Sequence, residues 1–354
     1  MTIARPDAKP LKIIWVISDG IPGHFNQSKG ILLALEQLYS LKVEWVELRL
    51  KSGIYRRVLS WLLNHWLIKQ TKPSIAMLPF FYRGQLPHEK PDIVIGAGGK
   101  SMFAVAWLGR AFAAKTIFAG SLRQLKPELF NAVLILEPST QAPFISLQTS
   151  PMPISQALLK KAAEAWLAEQ HQHGQHQSEK PLWAMLIGGD GAGAHYQDSD
   201  WSNLALQMNA LAAQHHIQWL ITTSRRTGAN AEQILKQYLN PVHVIDAVWW
   251  SEKPRPVTSS YLGLSQVVYC TIDSMSMIME AVSAMRPVVA VIPRHFAPDQ
   301  NFQNAMNRLQ QQKLVVQTSV STLKQCGGNI LQLKPLEQEP LKKLADKLQG
   351  ALEK

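Results

Sequence analysis

The residues best suited to chemistry in this sequence lie in four short stretches, each placed directly after an apolar run. The first is Asp19-Gly-Ile-Pro-Gly23-His24-Phe-Asn26-Gln27. Two glycines and a proline shape a tight turn that exposes backbone N–H groups at the start of a helix, which suits an anion. His24 can accept a proton near neutral pH, and Asp19 is a second candidate base. The same turn also serves as a plain strand-to-helix connection. The second stretch, Gly96-Ala-Gly98-Gly99-Lys100-Ser101, is similar to the end of a phosphate-binding loop. The full pattern needs a glycine five positions before Gly99, where Val94 stands, so a P-loop triphosphatase is excluded. Gly98, Gly99 and Lys100 still present amides and a cation to an anionic group.

The third stretch is Gly188-Gly189-Asp190-Gly191-Ala192-Gly193-Ala194. Gly189, Gly191 and Ala194 satisfy the dinucleotide fingerprint, and an NADP-dependent oxidoreductase is the alternative this opens. The next strand, however, runs into Ser224-Arg225-Arg226, with no acid for a ribose 2′-hydroxyl. The two arginines suit a phosphate-bearing ligand better. The fourth stretch is Asp273-Ser274-Met275-Ser276-Met277-Ile-Met-Glu280. Asp273 or Ser274 can cap a helix whose first-turn N–H groups suit a diphosphate. Glu280 lies four residues past Ser276, so both share one face. A carboxylate there can take both hydroxyls of a ribose while the phosphates sit at the helix tip. The oxidoreductase reading leaves this constellation unexplained.

The elements that must position these stretches alternate regularly. Strands are predicted over Lys12–Ser18, Val43–Leu50, Asp92–Gly96, Lys115–Ala119 and Ala132–Leu136, with helices over Gln27–Leu38 and Met102–Ala113. After a proline-rich stretch, the rhythm restarts with strands Leu182–Ile187, Ile217–Thr222, Val267–Cys270 and Val288–Ile292 between helices. This predicts two α/β halves with parallel sheets: residues 1–150, a linker over 151–180 that carries one helix around Leu158–Glu169, residues 181–335, and a closing helix over 336–354. The histidines His171, His173 and His176 fit a solvated linker better than a metal tract. Asp198 and Asp200 have the spacing of a metal motif, but Asp200 reads as a helix N-cap, so no metal is expected.

The 354 residues are 46% hydrophobic and 17% charged, enough for two cores and unlike a disordered chain. A net charge of +11 favours an anionic partner. No long basic stripe supports nucleic-acid binding. Two cysteines offer no disulfide framework, the N-terminus has no apolar signal core, and no apolar run spans a bilayer, so a cytoplasmic location is expected. Residues 51–69 combine Trp61 and Trp66 with Lys51, Arg56, Arg57 and Lys69. They suit a helix on an anionic membrane surface, or one buried in the first half.

Three segments together, DGIPGHFNQ, TTSRRTG and TIDSMSMIMEA, resemble the "elongated mitochondria" family named for mitochondrial fission, in order from about Lys12 to Val316. Its bacterial members are regarded as glycosyltransferases of surface-polysaccharide or lipooligosaccharide assembly. The resemblance implies a GT-B fold of two facing Rossmann-like domains with a cleft between them. The second would hold a nucleotide-sugar and the first a glycolipid or oligosaccharide acceptor, with no cofactor. By similarity to the lipid-linked N-acetylglucosaminyltransferase of peptidoglycan synthesis, Glu280 would hold the donor ribose, Gly189, Ser224, Arg225, Ser274 and Met275 would surround the diphosphate, and His24 and Asp19 would face the cleft. The family's mitochondrial name raises a third reading, a non-catalytic adaptor that keeps the fold. Where the family often has an acidic–histidine pair, the chain reads Glu137-Pro138-Ser139.

Overall fold

A computed structural model describes residues 9–172, 179–326 and 330–353. The chain forms two compact units: the segment up to Pro153 joined by that from Pro340 onward, and Ile154–Glu339.

The first unit is built on a six-stranded parallel sheet. Its strands are β1 (Leu11–Ser18), β2 (Ser40–Glu47), β3 (Ile93–Ala97), β4 (Lys115–Ala119), β5 (Ala132–Ile135) and β6 (Phe144–Ser146), in the order β2-β1-β3-β4-β5-β6. Strand side chains alternate between faces, and here both faces are dry. Trp15, Ile17, Val94, Phe118 and Val133 point into one cluster, which α2 (Tyr55–Ile68) and α3 (Met102–Phe112) close. Ile14, Val16, Ile95, Ile117 and Leu134 point into the other, closed by α1 (Pro22–Leu35) and the C-terminal helix. That helix, Pro340–Leu352, returns to the first unit and buries Leu341, Leu344, Leu348 and Leu352 at helical spacing. Leu348 is fully buried. Leu348→Ala is therefore expected to cost the full chain about 2–5 kcal/mol in a urea titration; a cost below about 1 kcal/mol would contradict this packing.

The second unit repeats the plan with β7 (Leu182–Ile187), β8 (Gln218–Thr223), β9 (Val244–Val248), β10 (Val267–Thr271), β11 (Val288–Ile292) and β12 (Val315–Ser319), ordered β9-β8-β7-β10-β11-β12. Trp183, Met185, Trp219, Ile221 and Tyr269 pack against the helix Asp198–His215 through Trp201, Leu204, Met208 and Leu211.

Several expectations change. The helix expected around Leu158–Glu169 within the stretch 151–180 is present and longer, Gln156–Gln172; it falls in the second unit and buries Leu159, Ala163 and Trp166. His173 and His176 lie outside the described residues. The first helix begins at Pro22 rather than Gln27, because proline is tolerated where the first helical N–H has no partner. Asp200 is not an N-cap: the helix starts at Asp198, and Asp200 accepts the backbone N–H of the cap Gln197 at 2.9 Å as the third helical residue. β6, β9 and β12 are absent from the sequence reading; all three are short, and β9 and β12 are interrupted by polar residues.

Candidate functional site

In open parallel sheets, ligands bind beyond the carboxyl ends of the strands where the strand order reverses. In the first unit that point lies between β1 and β3, and in the second between β7 and β10. The four stretches singled out by residue type are the loops after those four strands.

In the first unit, the loop after β1 turns through Gly20 and enters α1, so His24, Asn26 and Gln27 sit on its first two turns rather than in a loop. The His24 Nδ1 lies 3.0 Å from Asp19 Oδ2 and 3.1 Å from Oδ1. The Asp19 side chain is almost wholly buried, whereas that of His24 is 30% exposed. A carboxylate facing Nδ1 fixes the N–H there and leaves Nε2 as the proton acceptor. This arrangement suits Asp19 to orienting the ring and His24 Nε2 to accepting a proton. The loop after β3 packs against this ring: a Cβ on Gly98 would overlap the imidazole, and its φ of +82° also favours glycine. Gly23 has open space beside it, and Lys100 is exposed.

Two features of this region escape sequence reasoning. The exposed Arg123, after β4, reaches the Gly99 backbone, where a Cβ would lie 3.0 Å from its guanidinium. Phe25 packs against Trp45 of β2 with ring centroids 4.3 Å apart and planes tilted by 32°, and Lys29 lies over the Phe25 ring at 4.6 Å. The only signal for either is an exposed residue type, because the contacts depend on strand order.

In the second unit, three loops are tied together. The Gly188 amide donates to Thr271 Oγ1 at 2.6 Å. Thr227 Oγ1 donates to the Ile187 carbonyl at 3.2 Å and also to that of Gly188. Gly189 is buried with its Cα against the Arg226 backbone, so a side chain there would collide. The Arg226 guanidinium lies 2.5 Å from Asp273 Oδ2. The Asp273 side chain is inaccessible to solvent and that of Arg226 is 42% exposed. Burial pushes the Asp273 carboxyl above the usual range, although the Thr271 hydroxyl, Arg226 and the Gly189 amide act against that shift.

The settings of four expected donor residues differ as a result. Asp273 is too buried to meet a ligand and instead holds the loops. Arg226 is engaged by Asp273, whereas Arg225, the other cation of the pair, is exposed. Asp190 folds back on its own loop, accepting the Tyr196 amide at 2.9 Å and facing His195 Nδ1 at 3.1 Å. Ser224 Oγ likewise accepts the Arg226 amide at 3.2 Å.

Beyond these loops begins the helix Met275–Ser283, capped by Ser274, whose Oγ accepts the Met277 amide at 3.4 Å. Ser274 rather than Asp273 is the cap. Ser274 Oγ and Ser276 Oγ are 3.2 Å apart. Ile278, Met279, Ala281 and Val282 face the core, while Met275, Ser276, Met277 and Glu280 are half-buried along the other face. Among the described residues, no group of three or more His, Cys, Asp or Glu could hold a metal.

Fold and site together define an α/β protein of the GT-B class, two Rossmann-like halves each with a loop cluster at its switch point. The chain belongs to the family described as Mitochondrial fission ELM1, whose profile matches residues 22–347. It is similar to an uncharacterized protein of Rickettsia prowazekii (strain Madrid E), 21% identical over 80% of this chain and 84% of that one. Among solved structures, it is similar to the UDP-GlcNAc 2-epimerase of Neisseria meningitidis bound to UDP-GlcNAc, with TM-score 0.56 and 14% identity over 96% of this chain and 99% of that one. It is also similar to ADP-heptose lps heptosyltransferase II of E. coli, with TM-score 0.44 and 11% identity over 96% and 98% of the two chains.

Proposed function

We propose that this protein is a glycosyltransferase that moves a sugar from a nucleotide-sugar to a lipid-linked or lipooligosaccharide-type acceptor at the cytoplasmic face of a membrane. The observation carrying this reading is the grouping at the second unit's switch point. A Ser274-capped helix, exposed Arg225 and a half-buried Glu280 about a turn beyond Ser276 lie on or beside adjacent loops. Ser274 takes the Met277 amide, and the N–H groups of Met275 and Ser276 are those a diphosphate would use. Glu280 would accept the two ribose hydroxyls.

The chemistry is a direct displacement without a metal. The acceptor oxygen attacks the anomeric carbon, the bond from that carbon to the diphosphate breaks, and the nucleotide leaves. His24 Nε2 takes the acceptor's proton, with Asp19 holding the ring. The helix N-terminus and Arg225 stabilise the charge on the departing diphosphate. Gly98, Gly99, Lys100 and Arg123 would hold an anionic group of the acceptor, and the Phe25–Trp45 pair offers an aromatic face to a sugar ring.

A second reading draws on the fold of the Neisseria meningitidis structure, which has UDP-GlcNAc bound. An epimerase would bind a similar donor but invert a sugar carbon without any acceptor. Thermal shift against UDP-, ADP- and CDP-sugars and NADP, followed by product analysis, separates the readings. A transferase releases nucleotide only when a glycolipid acceptor is supplied. A sugar-epimerised nucleotide formed without acceptor would establish the second reading. Stabilisation by NADP alone would support the oxidoreductase, and no stabilisation by any ligand would support the adaptor.

A further inference from the structure

Between β2 and β3 the chain leaves the sheet over residues 49–83. Its two ends are clipped by a short antiparallel pair, Arg49 opposite Arg83 and Leu50 opposite Tyr82. This excursion carries α2, and one face of α2 is firmly held. Leu59 and Leu63 are fully buried, and Trp66 meets Trp107 edge-on at 4.9 Å. Asn64 donates to the Gln124 carbonyl at 2.9 Å, and Arg110 donates to the Trp66 carbonyl at 3.2 Å.

The opposite face is apolar as well. Ile54, Val58, Trp61 and Ile68 are 78%, 42%, 64% and 68% exposed. At 100° per residue, they fall within an arc of about 80°, opposite Leu59 and Leu63. The sequence alone leaves α2 either buried or lying on a membrane; the structure shows a buried face and a separate exposed ridge. Phe80, 64% exposed, stands beside the first turn of α2, its ring 5.8 Å from that of Tyr55. An ordinary amphipathic helix places polar residues where this ridge stands.

The charge around the ridge is one-sided. Residues 49–88 contain seven Lys and Arg and no Asp or Glu, against a net charge of +11 for the whole chain. Arg57 and Lys69 flank the ridge on either side by helical position, and both are exposed. A two-fold contact between copies of this face would set these bases against one another. A convex apolar ridge with a cationic border and an exposed tryptophan fits a deformable anionic interface, where the ridge enters the acyl boundary and the bases meet headgroups. Among the described residues no helix is long and apolar enough to cross a membrane.

We infer that the outer ridge of α2, formed by Ile54, Val58, Trp61 and Ile68 with Phe80 beside its first turn, docks the protein onto a membrane surface rich in anionic lipid. This deepens the membrane clause of the proposed function by naming the surface that meets the lipid; flotation needs no sugar donor, so its failure is distinguishable from a failure of the transferase reading. The test is flotation of the full-length protein with vesicles of phosphatidylcholine alone and of phosphatidylcholine with phosphatidylglycerol at about 7:3. The protein is expected to float with the anionic vesicles, and its partitioning to fall about tenfold or more in Ile54→Ser/Val58→Ser/Trp61→Ser/Ile68→Ser. A comparable fall is expected in Arg57→Glu/Lys69→Glu/Lys72→Glu, together with a weaker salt dependence. All seven substituted positions, Lys72 just past the helix included, are exposed, so unchanged thermal unfolding would show that the variants fold. Failure of the wild type to float, equal flotation on phosphatidylcholine alone, or unchanged flotation of the apolar variant would each overturn the inference. So would a concentration-dependent dimer in sedimentation velocity that the apolar variant abolishes, which would assign the ridge to a second copy.

Discussion

His24→Ala is expected to lower turnover by about 10²–10⁴-fold while leaving donor affinity within about threefold of wild type. The first effect is the usual contribution of a positioned general base. The second follows because His24 belongs to the first unit and the proposed donor residues to the second. Asp19→Asn should also lower turnover, since an amide facing Nδ1 at about 3 Å can donate to it and stabilise the wrong tautomer. The check is a steady-state assay with donor and acceptor, beside donor titration by calorimetry. Turnover of His24→Ala within about threefold of wild type would remove His24 from the mechanism. A matched loss of donor affinity would show that the substitution had disturbed more than proton transfer. The His24 side chain is 30% exposed, so little stability should be lost.

Glu280→Ala should weaken nucleotide-sugar binding by about 100-fold or more. Hydrogen bonds to a charged group contribute about 1.5–3 kcal/mol each, and two are lost. Water replacing the carboxylate recovers part of that, which leaves about 3 kcal/mol, or two decades in Kd. Glu280→Gln keeps one acceptor oxygen and should fall between. The measurement is titration of the donor and of the free nucleoside diphosphate against each variant. If Glu280 grips the ribose, both ligands lose affinity equally, because the sugar is not involved. Loss for the sugar nucleotide alone would move Glu280 from the ribose to the sugar. Glu280 lies on the half-buried face of its helix, away from Ile278 and Ala281, so the fold should survive truncation.

Both predictions depend on residues whose type and local setting are visible in the sequence. A helix cap at Asp273 or Ser274 is legible because a short polar side chain before an apolar helical run satisfies an orphan N–H, a matter of three residues, and the structure selects Ser274. Glu280 reads as sharing a face with Ser276 because the helical period is local. The alternation of apolar strands and helices likewise marks a parallel α/β chain, since each element's pattern is contained within it. The ridge of α2 is visible as apolar spacing, although its exposure is not.

Strand order lay beyond reach of that reading, and with it the site. Periodicity concerns neighbours in sequence, whereas the Gly188 amide meets the Thr271 hydroxyl across 83 positions. Only after β7 and β10 pair does Asp273 become an interior clamp on Arg226 rather than a ligand contact. The first helix's start at Pro22 turns His24 from a loop residue into a helical one held by Asp19. The last helix looks like an appendage by sequence, yet it closes the first unit's core because Leu341, Leu344 and Leu348 match a face that α1 leaves open. The sequence determined the residue types, turns, caps and periods, which short-range sterics and hydrogen bonding dictate. Tertiary packing decided which loops meet, which carboxylates are buried and which apolar faces stay bare, because burial is settled only once distant segments have been brought together.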